Sequence, residues 1–282
     1  MAVGWSAAFF LLSLLLTTLL AFGAAYLITG SAEGIREWTR ASPADSLLVQ
    51  GIASLVASLA ATWLIGVRAN LLDRTALRYE GGRRGVAGFG VGLLVGGAAA
   101  LAALLLAVAL TDAGWIREAG GWEQYAGATS RTLAVLAPAA AAEEVLFRGV
   151  PLVLLAAVFG RAAAIAALAL LFGVAHVSNP GATPLALANI AGAGVFLGLA
   201  FYAPGGILTA FGAHLGWNGA LAALDAPVSG LPFRIPMIDY EAGGPGWLTG
   251  GGFGPEGGLT ATVAIALACL VTVRWTRKDL AA

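Results

Sequence analysis

Val86–Leu110 reads VAGFGVGLLVGGAAALAALLLAVAL, a run without one charged side chain, and its length decides which solvent surrounds the chain. About 20 consecutive apolar residues, wound as a helix, cross the roughly 30 Å of hydrocarbon in a bilayer. The same signature returns on both sides of this run. Charge-free stretches cover 7–28 and 46–67 before it, and 162–176, 185–203, 206–224 and a shorter 257–273 after it. One more apolar stretch, 133–159, differs in carrying Glu143, Glu144 and Arg148. The pattern predicts an all-α, multi-pass transmembrane helical bundle of about eight spans, and a single integral membrane domain over 1–282.

Composition supports the same solvent. Of the 282 residues 59% are hydrophobic and only 11% charged, with a mean hydropathy of +0.87. A soluble domain has about 25% charged residues, so a soluble enzyme of this size is excluded. Disorder is excluded because too little of the chain is polar enough to stay solvated. Fifteen basic and fifteen acidic residues cancel, which leaves no electrostatic footprint for nucleic acid. The single cysteine, Cys269, rules out a disulfide framework and any cysteine-cluster metal site.

Basic residues in short loops set the expected orientation. Arg68, Arg74, Arg78, Arg83 and Arg84 crowd the loop after the second span. Arg274, Arg277 and Lys278 follow the last, and Arg161 sits in the turn after the fourth. The alternate loops are poorer in Arg and Lys, so both termini are expected in the cytoplasm of a cell membrane. The first span has no Lys or Arg before it and exceeds the usual signal-peptide core, so it is expected to be retained. Two loops carry further expectations. Asp112–Ser130, with Trp115, Trp122 and Tyr125, suits a segment lying in the membrane interface. Asp225–Gly258, rich in Gly and Pro, is either a lid over a site or a flexible connector.

Ionisable groups inside a membrane are expensive, roughly 2.5–3.5 kcal/mol each at mid-helix, and so point to function. Here they gather. Glu143, Glu144 and Arg148 share the fourth span, and the only two histidines, His176 and His214, lie in the fifth and seventh. Glu144 and Arg148 stand four apart with the acid first, the favourable order for an ion pair along a helix. Glu143 lies about 100° round the same helix, since 3.6 residues make a turn. Phe172 shares a face with His176, and His214 with Asn218. Each helix can therefore aim a useful side chain at a common point among spans four to seven.

Two chemistries suit these residue types. Two histidines and a carboxylate, Glu143, His176 and His214, are the ligand kinds of a hydrolytic zinc site, although the His-Glu-x-x-His motif is absent. Without metal, Glu143 and one histidine can activate a water as general base, while the other histidine and Asn218 donate to the developing oxyanion. Both routes hydrolyse a carbonyl compound, and no Ser or Cys nucleophile joins the cluster. Whether a metal is used stays open at this point.

Glu143-Glu144-x-x-x-Arg148, Phe172-x-x-x-His176 and His214-x-x-x-Asn218, in that order, resemble the CPBP family of intramembrane proteases, the CAAX prenyl endopeptidase and bacteriocin-processing or Abi proteins. The resemblance covers 133–224, with Phe147-Arg148-Gly149 and Pro138 also typical. It implies an endopeptidase with Glu143 as the catalytic glutamate supported by Glu144 and Arg148. His176 then helps to activate water, and His214 and Asn218 position it or stabilise the oxyanion. The implied partners are membrane lipid and a peptide or membrane-anchored, in some members prenylated, protein substrate. Family members have been described both as metalloproteases and as glutamate proteases. The Arg-based topology places Glu143 and His176 toward the outer half of the membrane, whereas the prenyl proteases act on cytosolic substrates, so the side of access stays open. Two competing readings of the residues are a non-catalytic immunity or binding protein and a proton-coupled transporter using Glu143, His176 and His214 as a relay.

Overall fold

The computed structural model describes residues 1–69 and 71–281, with side chains as far as Arg277; Lys278, counted above in the basic tail, lies outside the described side chains. The helices in chain order are α1 (Ala2–Thr29), α2 (Ala32–Ala41), α3 (Pro43–Ala61), α4 (Gly82–Leu110), α5 (Trp122–Arg148) and α6 (Val150–Phe159). They continue with α7 (Arg161–Ala175), α8 (Pro184–Tyr202), α9 (Ile207–Ala223), the single turn α10 (Gly246–Thr249) and α11 (Leu259–Ala281). Two short strands, β1 (Gly114–Arg117) and β2 (Ile238–Glu241), pair antiparallel with Trp115 opposite Tyr240.

All eight apolar stretches of the sequence are helical. Among the described residues, five helical segments are long and apolar enough to cross a membrane: Ala2–Thr29, Pro43–Arg68, Arg74–Leu110, Pro184–Tyr202 and Leu259–Arg277. Their large apolar side chains point outward; Leu11, Leu14, Leu19 and Leu27 of α1 are all exposed. Such faces are stable only against lipid, so this is an all-α membrane protein. The stretch expected as one span over 133–159 is two helices, broken at Gly149 between α5 and α6. Pro151, near the start of α6, is the local reason: its ring removes a donor and favours a first-turn position.

The chain forms two compact units. The first comprises Met1–Arg78 and Leu133–Ala164. Its core gathers Phe9, Ala61, Ile65, Leu77 and Val150, and Phe10 packs on Phe147 at 5.5 Å between ring centroids. Helix starts and stops follow local chemistry. The Ser31 hydroxyl accepts the Gly34 N–H to cap α2, Pro43 opens α3, and Gly30, at φ 75°, ends α1 in the left-handed conformation.

The second unit comprises Tyr79–Thr132 and Ile165–Ala282, and it is built on α4 against α9. Glycines spaced four apart on each helix interlock. A Cβ at Gly92 would strike the Thr209 carbonyl and one at Gly96 the Ala213 carbonyl. From the other side, Gly212 and Gly216 lie against the Phe89 and Leu93 carbonyls. Small residues at this spacing let helix backbones meet where lipid offers no hydrophobic drive. On the far side of the unit, α8 approaches α7 through Gly194 on Ala169. Thr183 caps α8 by accepting the Ala186 N–H.

Both loops singled out in the sequence are ordered parts of this unit. Trp115 Nε1 donates to the Leu224 carbonyl at 2.8 Å, and the Tyr125 hydroxyl donates to the Ala223 carbonyl at 2.8 Å. Trp115 and Tyr125 thus satisfy carbonyls that the C-terminus of α9 would otherwise leave unpaired. Trp122 alone of the three stays exposed. The 225–258 segment is folded rather than slack, with Ile235, Thr249 and Phe253 all at 1% exposure or less. The interlock predicts a sharp contrast. Gly96→Val should lower stability in detergent by about 1–3 kcal/mol through overpacking, whereas Gly90→Ala, whose Cβ meets nothing within 4 Å, should leave the thermal midpoint unchanged or raise it.

Candidate active site

The six residues picked from the sequence divide between the two units. Glu143, Glu144 and Arg148 are in the first, on the last turns of α5. Glu144 is fully buried and Arg148 nearly so, at 2% exposure. Arg148 Nη1 donates to Glu144 Oε1 at 3.1 Å, the i,i+4 pair expected from spacing. An ionised carboxylate and guanidinium survive such burial only when paired. The Arg148 guanidinium also lies 5.9 Å from the Phe147 ring centroid. Glu143, the neighbouring acid, is half-buried rather than enclosed.

His176, His214 and Asn218 are in the second unit and line one cavity. About 30 Å³ of it is open to water, and roughly 10–15 Å³ suffices for one molecule. Phe172, Ile190, Phe196 and Leu197 supply its apolar wall, while Ser229 and Glu256 add polar groups. Phe172, at the end of α7, is the shared neighbour of both imidazoles. Its ring centroid lies 4.7 Å from that of His176 and 6.1 Å, edge to face, from that of His214. The Phe172-x-x-x-His176 spacing therefore has a packing reason: one ring sets the placement of two histidines.

His176 itself stands in the turn just past α7. Its Nδ1 meets the Phe172 carbonyl at 2.7 Å. A carbonyl can only accept, so Nδ1–H is the donor and Nε2 is left as the basic nitrogen of the neutral ring. His214 is held on α9 by the α4 interlock, with Asn218 one turn further along the same face.

Glu256 was not among the residues picked from the sequence, and it is the one acid lining this cavity. It lies in the Pro255–Gly257 turn just before α11, with 5% exposure. Trp217 Nε1 donates to its Oε1 at 3.0 Å, and both the Ser229 N–H and the Ser229 hydroxyl donate to its Oε2. Burial pushes this carboxyl above the ordinary carboxylate range, against the pull of its hydrogen bonds from Ser229 and Trp217. A signal did exist in the sequence: a lone acid in Gly254-Pro255-Glu256-Gly257-Gly258, directly ahead of an apolar span.

Among the described residues, no group of three or more His, Cys, Asp or Glu side chains is gathered to hold a metal ion.

Residues 126–220 match the family model Rce1-like, described as type II CAAX prenyl endopeptidase Rce1-like. This stretch is an Rce1-like domain, consistent with the CPBP family. It contains all six of the residues picked from the sequence, and the match supports a CAAX-type intramembrane protease in general terms. No curated protein and no solved structure matches the chain.

The buried ion pair yields a two-part expectation. Arg148→Ala strands the Glu144 carboxylate and should lower stability by about 3–5 kcal/mol, whereas joint replacement of Glu144 and Arg148 by leucine should recover part of that loss. Unfolding midpoints in detergent measure both.

Proposed function

We propose that the protein is an endopeptidase that hydrolyses a peptide bond of a membrane-associated or prenylated protein, using a water activated by glutamate and histidine. Glu143 is the general base that takes the proton from water, and Arg148 pairs with the neighbouring Glu144. His176 orients the water by accepting its hydrogen bond at Nε2, and the proton held by Glu143 passes to the leaving amine. His214 and Asn218 donate hydrogen bonds to the oxyanion as the carbonyl carbon becomes tetrahedral. The observation that carries this reading is the water-sized cavity lined by His176, His214 and Asn218, three residues of the Rce1-like stretch. Within such an apolar wall fixed donors act more strongly on developing charge than they would in water.

The catalytic core in this reading is 133–224, embedded in one membrane domain of eight spans. The three shorter or charge-bearing helices, α5, α7 and α9, cross or enter the bilayer beside the five long ones. Both termini face the cytoplasm of the cell membrane, as the excess of arginine in 68–85 and after α11 supports.

Cleavage of a prenylated CAAX peptide and of its unprenylated counterpart, by purified protein in lipid vesicles, tests the reading. Glu143→Gln should reduce the rate by about 10²–10⁴-fold and Asn218→Ala by roughly 10²–10³-fold, with folding retained in both. Turnover should survive a chelator. Chelator-sensitive activity restored by zinc would return the metal reading, and full turnover by Glu143→Gln would defeat the proposal.

A further inference from the structure

The geometry points to Glu256 as a positioning residue of the cavity, a latch whose carboxylate ties the 225–258 segment to α9 and thereby seats His214 and Asn218. The assignment deepens the proposed function, since it rests on the cavity being catalytic.

Three features of the latch support it. The first is its place between two walls. One carboxylate oxygen takes the indole N–H of Trp217, the residue between His214 and Asn218 on α9, and the other takes both donors of Ser229 in the segment opposite. The second is the backbone it holds. Ser229 sits at φ 49°, a left-handed conformation uncommon for a residue with a side chain, and such conformations persist only where surroundings over-determine them. Ser229 is fixed at each polar group, because its carbonyl also accepts Asn179 Nδ2 at 2.9 Å. The third is the rigidity of the latch's own base. Asn189 on α8 donates from Nδ2 to the Glu256 and Gly258 carbonyls, both at 2.8 Å, and its Oδ1 accepts from the Thr262 hydroxyl at 2.7 Å. Asn189 thus fixes the turn that presents the acid.

An acid is required for this work. Ionised, it accepts from both sides. Protonated, it can still accept from Trp217 and the Ser229 N–H while donating to the Ser229 hydroxyl. A glutamine must aim its NH2 at one of the two walls and meets an N–H donor there, so one arm of the latch opens in either rotamer.

The test uses the full chain in phosphatidylcholine vesicles with two readouts, hydrogen–deuterium exchange over 226–235 and cleavage of a prenylated CAAX peptide. Glu256→Gln should speed exchange in 226–235 while leaving α4 protected, and should lower kcat by about tenfold or more with KM little changed, because displaced groups slow the chemistry rather than binding. Trp217→Phe, which keeps the aromatic bulk and removes the donor, should lower kcat in the same direction. Wild-type exchange in Glu256→Gln, or faster exchange with unchanged kcat in both variants, would overturn the assignment. The catalytic reading fails separately, through full turnover by Glu143→Gln, and the exchange readout does not depend on turnover.

Discussion

Contact between the backbones of α4 and α9 is the constraint on which the second unit depends. Water drives apolar helices together, but a bilayer does not, because lipid tails are as apolar as leucine. What remains is close packing and hydrogen bonding. Glycines at 92 and 96 and at 212 and 216 remove the side chains that would hold the two helices apart. With α9 fixed along its length, its C-terminal carbonyls can be met by Trp115 and Tyr125, and its polar face, carrying His214 and Asn218, has a defined direction.

The polar groups obey a second constraint, that of a medium with little capacity to solvate charge. In the first unit the answer is an ion pair, Arg148 on Glu144, buried at both ends. In the second it is hydrogen bonding to fixed partners: His176 to the Phe172 carbonyl, and Glu256 to Ser229 and Trp217. Unpaired, each of these groups would bear a desolvation penalty of several kcal/mol. The family match over 126–220 covers Glu144, Arg148, His176 and Trp217 but ends before Ser229 and Glu256. The acid of the latch and Ser229 thus lie outside the recognised stretch, and Trp217 inside it.

Much of the architecture was legible because hydropathy is a local property. A run such as Val86–Leu110 declares its surroundings without reference to any other residue, and the three polar motifs stood out against that background. The Glu144–Arg148 pair was legible for a similar reason, since a helix alone puts i and i+4 side by side. Glu256 was not, because its partners Ser229 and Trp217 lie 27 and 39 positions away and the Gly-rich loop around it carries no periodicity. The break at Gly149 was missed as well: apolarity continues unbroken through Val150–Phe159, and hydropathy does not register a change of helix axis.

From the sequence alone followed an all-α chain built for lipid and the Glu144–Arg148 pair within it, for both depend on composition and on spacing along a single helix. Tertiary structure alone decided that one phenyl ring serves two histidines, that aromatic residues of β1 and α5 finish α9, and that an acid from a glycine-rich turn lines the cavity. Those are contacts between segments far apart in the chain, set by which backbones can approach, and no local pattern encodes them.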